Sequence, residues 1–272
     1  MPTPKKITET VLSAMKQMKP IIEQQKTRDV SEADTVTLVK DVLSDAMGYD
    51  KYLDLTGEFA IRGTFCDLAV KIDGKISIII EVKAIGISLD EKHLKQAVDY
   101  AANEGVEWVI LTNSVDWQLY RVVFAKPIDK VLVHRFDVLE LDYRKGDAAD
   151  TLYPLTKHAF SKGIPEQMLD LQKATSRYMI AALLLNSESV LKAIRLGLKR
   201  AVNVNIDEQD LAEILKNEVI KRDALEGKEF YASASLVNKR VDRKIRKATP
   251  KPEPVAETPI VEPKIEPDLP KS

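Results

Sequence analysis

Cysteine is almost missing from this chain: Cys66 stands alone among 272 residues, which excludes an internal disulfide and a cysteine-rich zinc site. Histidine is scarce as well, and His93, His134 and His158 fall at no spacing that would gather a metal. No apolar run approaches the roughly 18 to 20 residues that cross a bilayer. The opening Met1-Pro-Thr-Pro-Lys-Lys leads into polar sequence without the apolar core of a signal peptide. A cytoplasmic, reducing setting without membrane partners is the expectation. Positive surplus is lacking too. With 41 Lys and Arg against 42 Asp and Glu the formal charge is -1, so no global basic field draws in nucleic acid and any such contact rests on local patches.

What is present supports a folded chain of two unequal parts. Hydrophobic residues at 44% and charged residues at 31% suffice for a core, and the length exceeds one typical domain. From Thr249 to Ser272 seven prolines alternate with Lys and Glu and no aromatic occurs, so a disordered or extended tail is expected there. Just before it, Lys239, Arg240, Arg243, Lys244, Arg246 and Lys247 form a basic run, suited to phosphates or simply to water. Residues 239–272 are therefore read as a basic segment and Pro-rich tail. Residues 155–235 carry helical periodicity only, with Leu169, Met179, Leu183, Leu191, Ile194, Leu198, Leu211 and Leu215 marking about three amphipathic helices. That all-α unit has no catalytic constellation and is assigned to packing, to a homodimer or to a partner protein.

Residues 1–145 hold the richest pattern. Leu12, Met15, Met18 and Ile22, then Val36, Val39, Val42, Leu43 and Ala46, recur at helical spacing; Ser31 is placed to cap the second helix and Gly48 to stop it. Leu68, Val70 and Ile72, then Ile76, Ile78, Ile80 and Val82, alternate at period two around Asp73-Gly74, a hairpin signal. A helix over about 89–104 aligns Leu94, Ala97, Val98 and Ala101, and strands over 107–112 and 116–123 follow around Asn113-Ser114. This order predicts an α/β core with a mixed sheet flanked by helices.

Chemistry concentrates in the hairpin. Residues two apart on a strand share a face, so Glu81 and Lys83 lie together while Ile78, Ile80 and Val82 fill the other side. A carboxylate and an ammonium ending so apolar a strand are costly without partners. With Asp67 from the preceding strand they supply two hard oxygen ligands for Mg²⁺ and one cation for a water beside a phosphodiester. Hairpin parity decides whether the set assembles: a plain two-residue loop puts Asp67 on the face opposite Glu81, whereas a three-residue loop 72–74, or an equivalent bulge, puts them together. Such a loop or bulge is predicted. On the next helix His93, Gln96 and Tyr100 lie beside the apolar stripe; Gln96 and Tyr100 either orient water, Lys83 or phosphate, or cap the core rim. Glu32 offers a further metal carboxylate or is an exposed first-turn residue. Arg62, Lys71, Lys75, Lys92 and Lys95 are the local cations available to a phosphate backbone.

Taken in order, Asp67, Glu81-Val82-Lys83 and Gln96-Ala-Val-Asp-Tyr100 resemble the D...E-x-K...Q-x-x-x-Y pattern of the PD-(D/E)XK nuclease superfamily, and within it the N-terminal nuclease domain of type I restriction enzyme R subunits and their stand-alone relatives. Ser31-Glu32-Ala-Asp-Thr35 and Met47-Gly48-Tyr49-Asp50 are similar to that domain's opening helix, whose glutamate matches Glu32. The resemblance covers about residues 29–125. It implies a restriction-endonuclease-like fold and Mg²⁺-dependent, or Mn²⁺-dependent, endonucleolytic cleavage of DNA in a restriction or defence setting. Metal ligands would be Asp67, Glu81 and Glu32, with Lys83 at the water and Gln96 and Tyr100 completing the catalytic set. Arg62, Lys92 and Lys95 would meet the DNA. No G-x-x-x-x-G-K-[ST] occurs, so ATP use is not expected. Cys66 stands where the superfamily's nominal proline would be and is read as a small core residue on the face opposite Asp67. The competing reading is a catalytically silent nuclease-like module for DNA binding or assembly, and the plainest is a surface ion cluster on a structural protein.

Overall fold

The computed structural model describes residues 3–61 and 64–248, with the side chains of 58–61, 64–65 and 239–248 left aside. Arg62 and the Pro-rich tail lie outside the described residues, and the basic run falls on a helix described in backbone alone. Among the described residues no helix is long and apolar enough to cross a membrane.

The chain folds as two compact units, residues 1–174 and 175–272. The first opens with α1 (Lys5–Thr27) and α2 (Glu32–Asp41), the latter running into a wider turn over Val42–Ala46. Val11, Met15, Met18 and Ile22 are all buried, as their spacing requires. Ser31 caps α2 by accepting from Asp34 N–H at 3.3 Å. Gly48 follows at φ +79, the left-handed conformation that ends a helix most readily in glycine. Strands β1 (Leu55–Ile61), β2 (Thr64–Ile72), β3 (Lys75–Val82), β4 (Trp108–Thr112), β5 (Asp116–Val123) and β6 (Asp129–Asp137) lie in the sheet in chain order. Only β3 and β4 pair in parallel, and α3 (Glu91–Glu104) makes the crossover between them. The mixed sheet expected from the sequence is present, wider by β1 and β6.

Each face of the sheet has its own core. Leu68, Val70, Ile78, Ile80, Val82, Ile110, Trp117 and Leu119 join α1 and α2 on one side. Ala69, Ile79, Val109 and Leu111 join α3's Leu94, Ala97, Val98 and Ala101 on the other. The short helices α4 (Gly146–Leu152), α5 (Lys157–Ser161) and α6 (Ile164–Ala174) complete this unit. Leu152, Leu155 and Leu169 are buried in the first of the two cores, with Phe160 and Met168 packed against it. The helical unit expected from residue 155 therefore begins at 175: the first stretch assigned to it is claimed by the α/β core.

The second unit comprises α7 (Arg177–Asn186), α8 (Glu188–Val202), α9 (Glu208–Ile214) with a wide turn over Leu215–Val219, a short turn over Arg222–Ala224, and α10 (Lys228–Ala248). Asp207 caps α9, accepting from Gln209 and Asp210 N–H at 2.7 and 2.9 Å. A small core unites Leu191, Leu211 and Leu215.

The hairpin settles the parity question. Ile72 pairs with Lys75, so Asp73-Gly74 is a two-residue loop with both residues at positive φ (51 and 77) rather than the three-residue loop. The compensation comes within β3. Lys71 faces Ile76 but Val70 faces Ile78, leaving Ser77 as the extra residue of a bulge. Beyond it Leu68 pairs with Ile80, which brings Asp67 and Glu81 to one face. The bulge also sends Ile76 to the α3 side, away from Ile78 and Ile80 with which simple alternation groups it. Because Ser77 is the surplus residue, deleting it should preserve every flanking pair and change stability by no more than about 1 kcal/mol. Deleting Ile79 instead must turn neighbouring isoleucines off the core, each worth about 1.5 to 3 kcal/mol. Denaturant titration of the two deletions checks the contrast.

Candidate active site at the end of strand β3

Glu81 is 1% exposed, on the α3 face beside Ile79, where an ionised carboxylate is strongly disfavoured. Burial is the main cause that raises its pKa to about 7; the Lys83 ammonium pulls downward, while the neighbouring Asp67 and Glu32 charges add to the rise. Lys83 Nζ stands 2.7 Å from Glu81 Oε1. That close ion pair is the compensation the buried carboxylate has on its own strand.

Asp67 reaches the same place from β2. It is half-buried, and Oδ2 accepts from the backbone N–H of Val82 at 2.7 Å, which fixes the carboxylate at the end of β3. Burial raises its pKa against the lowering effects of that N–H and of Lys83. Lys83 itself is anchored where β3 meets β4, its N–H donating to Thr112 O at 2.9 Å. Its ammonium, 15% exposed, also lies 3.5 Å from Glu32 Oε2 at the start of α2. Burial favours the neutral amine, but Glu81, Glu32 and Asp67 outweigh it and raise the pKa. Lys83 is thus a charged group held between carboxylates, suited to bind a phosphate oxygen or a water rather than to accept a proton.

The remaining sequence-predicted residues divide. Glu32 joins the site through Lys83. Gln96 is exposed on α3, and among the described residues no hydrogen bond ties it to the three central side chains. Tyr100 is not on the rim. It is 4% exposed in the core beneath α3, where it shares a hydrogen bond with Cys66. Cys66 likewise packs with Ala69 and Ile79 in the core on the α3 side, a small buried residue as expected. Tyr100 follows Ala97 by three residues and so shares its helical stripe, a spacing legible in the sequence. His93 completes a capping box with Asp90, its Nδ1 accepting from Asp90 N–H at 3.3 Å. Lys92 and Lys95 are exposed on α3.

Among the described residues no three His, Cys, Asp or Glu side chains stand together as a ready metal cluster. The donors present nevertheless fit Mg²⁺, which binds through one or two carboxylates and keeps several of its waters. Asp67 and Glu81 are the two carboxylates, and their mutual repulsion, which raises the pKa of Glu81, is what a cation between them would relieve.

Residues 38–132 match the family model of the Type I restriction enzyme R protein N terminus, so this stretch of the first unit is similar to that family. The matched stretch runs from α2 to β6 and includes Asp67, Glu81, Lys83, Gln96 and Tyr100, whereas Glu32 precedes it. No curated protein and no solved structure matches the chain.

The raised pKa of Glu81 makes a stability prediction. Unfolded, the group titrates at its ordinary 4.5; folded, it titrates at about 7, so the native state holds the extra proton between those values. Stability falls as pH rises through that window and recovers as pH falls below it. Replacing Glu81 with Gln removes this dependence. The stability difference between Glu81→Gln and its parent should move in the variant's favour by about 2 to 3 kcal/mol between pH 4.5 and 8. Urea titrations of both proteins across that range check it; parallel pH profiles would contradict the assignment.

Proposed function

We propose that this protein is a metal-dependent endodeoxyribonuclease of the PD-(D/E)XK type, acting on DNA in a restriction or defence setting. The observation that carries this reading is the convergence at one strand end of the buried Glu81 carboxylate, the Asp67 carboxylate beside it and the Lys83 ammonium paired to Glu81. Asp67 and Glu81 would hold Mg²⁺ or Mn²⁺, which supplies Lewis-acid charge neutralisation at the phosphate and a lowered pKa for the attacking water. Lys83 places a fixed positive charge beside that water and the phosphate oxygens. Val82 N–H and the Lys83 ammonium hold the two carboxylates in position before substrate arrives, so little reorganisation accompanies the reaction. Lys92 and Lys95 offer backbone contacts on the DNA. The matched domain relates the chain to restriction systems, and that setting supports DNA as substrate and a further subunit as partner.

A catalytically silent DNA-binding module is the alternative, favoured by the formal charge of -1 and by the lack of a third assembled ligand among the described residues. Plasmid DNA with Mg²⁺ or Mn²⁺ distinguishes the two. The enzyme reading expects cleavage by the parent and a loss of about a hundredfold or more in Asp67→Ala, Glu81→Ala and Lys83→Ala. Equal DNA retention by all four proteins without cleavage would establish the silent module instead.

Metal binding has its own pH signature. A dication must displace the proton that Glu81 carries below about 7, so affinity should fall roughly tenfold per pH unit below that point. The rise in melting temperature produced by Mg²⁺ should therefore be larger at pH 8 than at pH 6 and vanish in Asp67→Asn. A metal-induced rise independent of pH would place the ion elsewhere.

A further inference from the structure

Thr35 occupies a position on α2 where the core would take a valine. It is fully buried, with apolar neighbours Leu38 and Val39 one turn on. Its hydroxyl nonetheless has two partners. Oγ1 donates to Ser31 O at 2.8 Å, back along the helix, and accepts from Ile85 N–H at 3.1 Å. The first bond ties the hydroxyl to the capping residue of α2, immediately before Glu32. The second reaches across to the segment that follows β3, two residues past Lys83. A threonine in a helix interior gains little from the back-bond alone, whereas Ile85 N–H would be an unpaired buried donor without it.

Other contacts hold the same segment from several directions. Asn113 Nδ2 donates to Ile87 O at 2.9 Å, while its Oδ1 accepts from Val115 and Asp116 N–H at 3.0 and 2.8 Å. Gly86 approaches the α1–α2 linker so closely that a Cβ there would collide with Asp29 Oδ1. By contrast, the contact between Glu32 and Lys83 is loose, at 3.5 Å with the Glu32 side chain 47% exposed. Such a pair restrains the lysine by a factor of about five at most and cannot fix the backbones that carry it. Its geometry must come from what fixes the two backbones.

We propose that Thr35 is a positioning residue: by joining the α2 cap to Ile85 it holds Glu32 against Lys83 and so sets the direction from which the lysine enters the site. The role of Lys83 in cleavage rests on the function proposed above, but the clamp itself does not. The hydroxyl is the working part, so Thr35→Ser retains the clamp and Thr35→Val removes it with little change in volume.

The test is amine acylation of the full chain, with each lysine followed by mass spectrometry. In the parent, Lys83 should react slowly beside the exposed Lys92 and Lys95. Thr35→Val should raise the Lys83 rate about fivefold, the worth of one hydrogen bond, and leave Lys92 and Lys95 unchanged. Glu32→Gln should do the same without touching the core, and Thr35→Ser should match the parent. A folded Thr35→Val, or a Glu32→Gln, that labels Lys83 at the parental rate overturns the proposal. Amide exchange in the parent provides a check that needs no variant: Ile85 N–H should be protected, and exchange at the rate of exposed loop amides also overturns it. If the parent cleaves DNA, Thr35→Val should lower kcat about tenfold or more at unchanged KM, with Thr35→Ser restoring it. Should the parent fail to cleave, the nuclease reading falls while the labelling and exchange results still decide the clamp.

Discussion

Placing the Glu81 carboxylate in a dry sheet interior imposes requirements that the surrounding structure meets one by one. An ion at 1% exposure needs an opposite charge within a few ångströms or a proton. Lys83 provides the first at 2.7 Å, and the rise of the pKa to about 7 shows that the second remains close in free energy. A hydrophobic pair at these positions would suit the sheet better, because desolvating two charges consumes most of what their attraction returns. The arrangement is therefore costly to the fold, and the two extensive cores on either side of the sheet are what allow it to persist.

Asp67 belongs to the same balance. Its charge raises the pKa of Glu81, so bringing two carboxylates together makes the site less comfortable than either alone. Only a strong constraint holds such a pair in one place, and here it is the backbone: β2 and β3 are hydrogen-bonded neighbours, and the bulge at Ser77 fixes which side chains share a face. Val82 N–H then directs Asp67 Oδ2 toward the strand end. Repulsion between like charges is stored in the site in the form a bound cation would relieve.

Much of this was legible because periodicity and capping are local signals. Helices α1, α2 and α3, the hairpin, Ser31 and Gly48 all follow from residues within a few positions of one another. The convergence of Asp67, Glu81 and Lys83 was also open to derivation, since hairpin parity reduces it to one question about a loop or bulge. What escaped depends on distant partners or blurred patterns. Strand β1 contains Gly57 and Glu58, and β6 interleaves Lys130, His134 and Arg135, as befits strands at the two edges of a sheet. Tyr100 is different: set beside the apolar stripe of α3, it belongs to that stripe three residues after Ala97, and its partner Cys66 lies on another element of the core. Thr35 stands in the stretch that resembles the family's opening helix, but its contact is not local: its partner is Ile85 N–H, 50 residues further along the chain.

The location of the site follows from how the two layers end. Along most of its length β3 is covered on one face by α1 and α2 and on the other by α3, and each core excludes water. At Val82 the strand stops, and Lys83 leaves the sheet where groups from both layers come within reach. Glu32 arrives from the α2 layer, while Asp67 and Glu81 belong to the α3 face. A polar cluster any deeper in β3 would have only apolar neighbours such as Ile78, Ile79 and Ile80, all fully buried. One residue farther out, the carboxylate would be solvated and its charge screened. Glu81 stands at the last position where burial still amplifies electrostatics, and Lys83 at the point where the strand's end lets a side chain reach solvent.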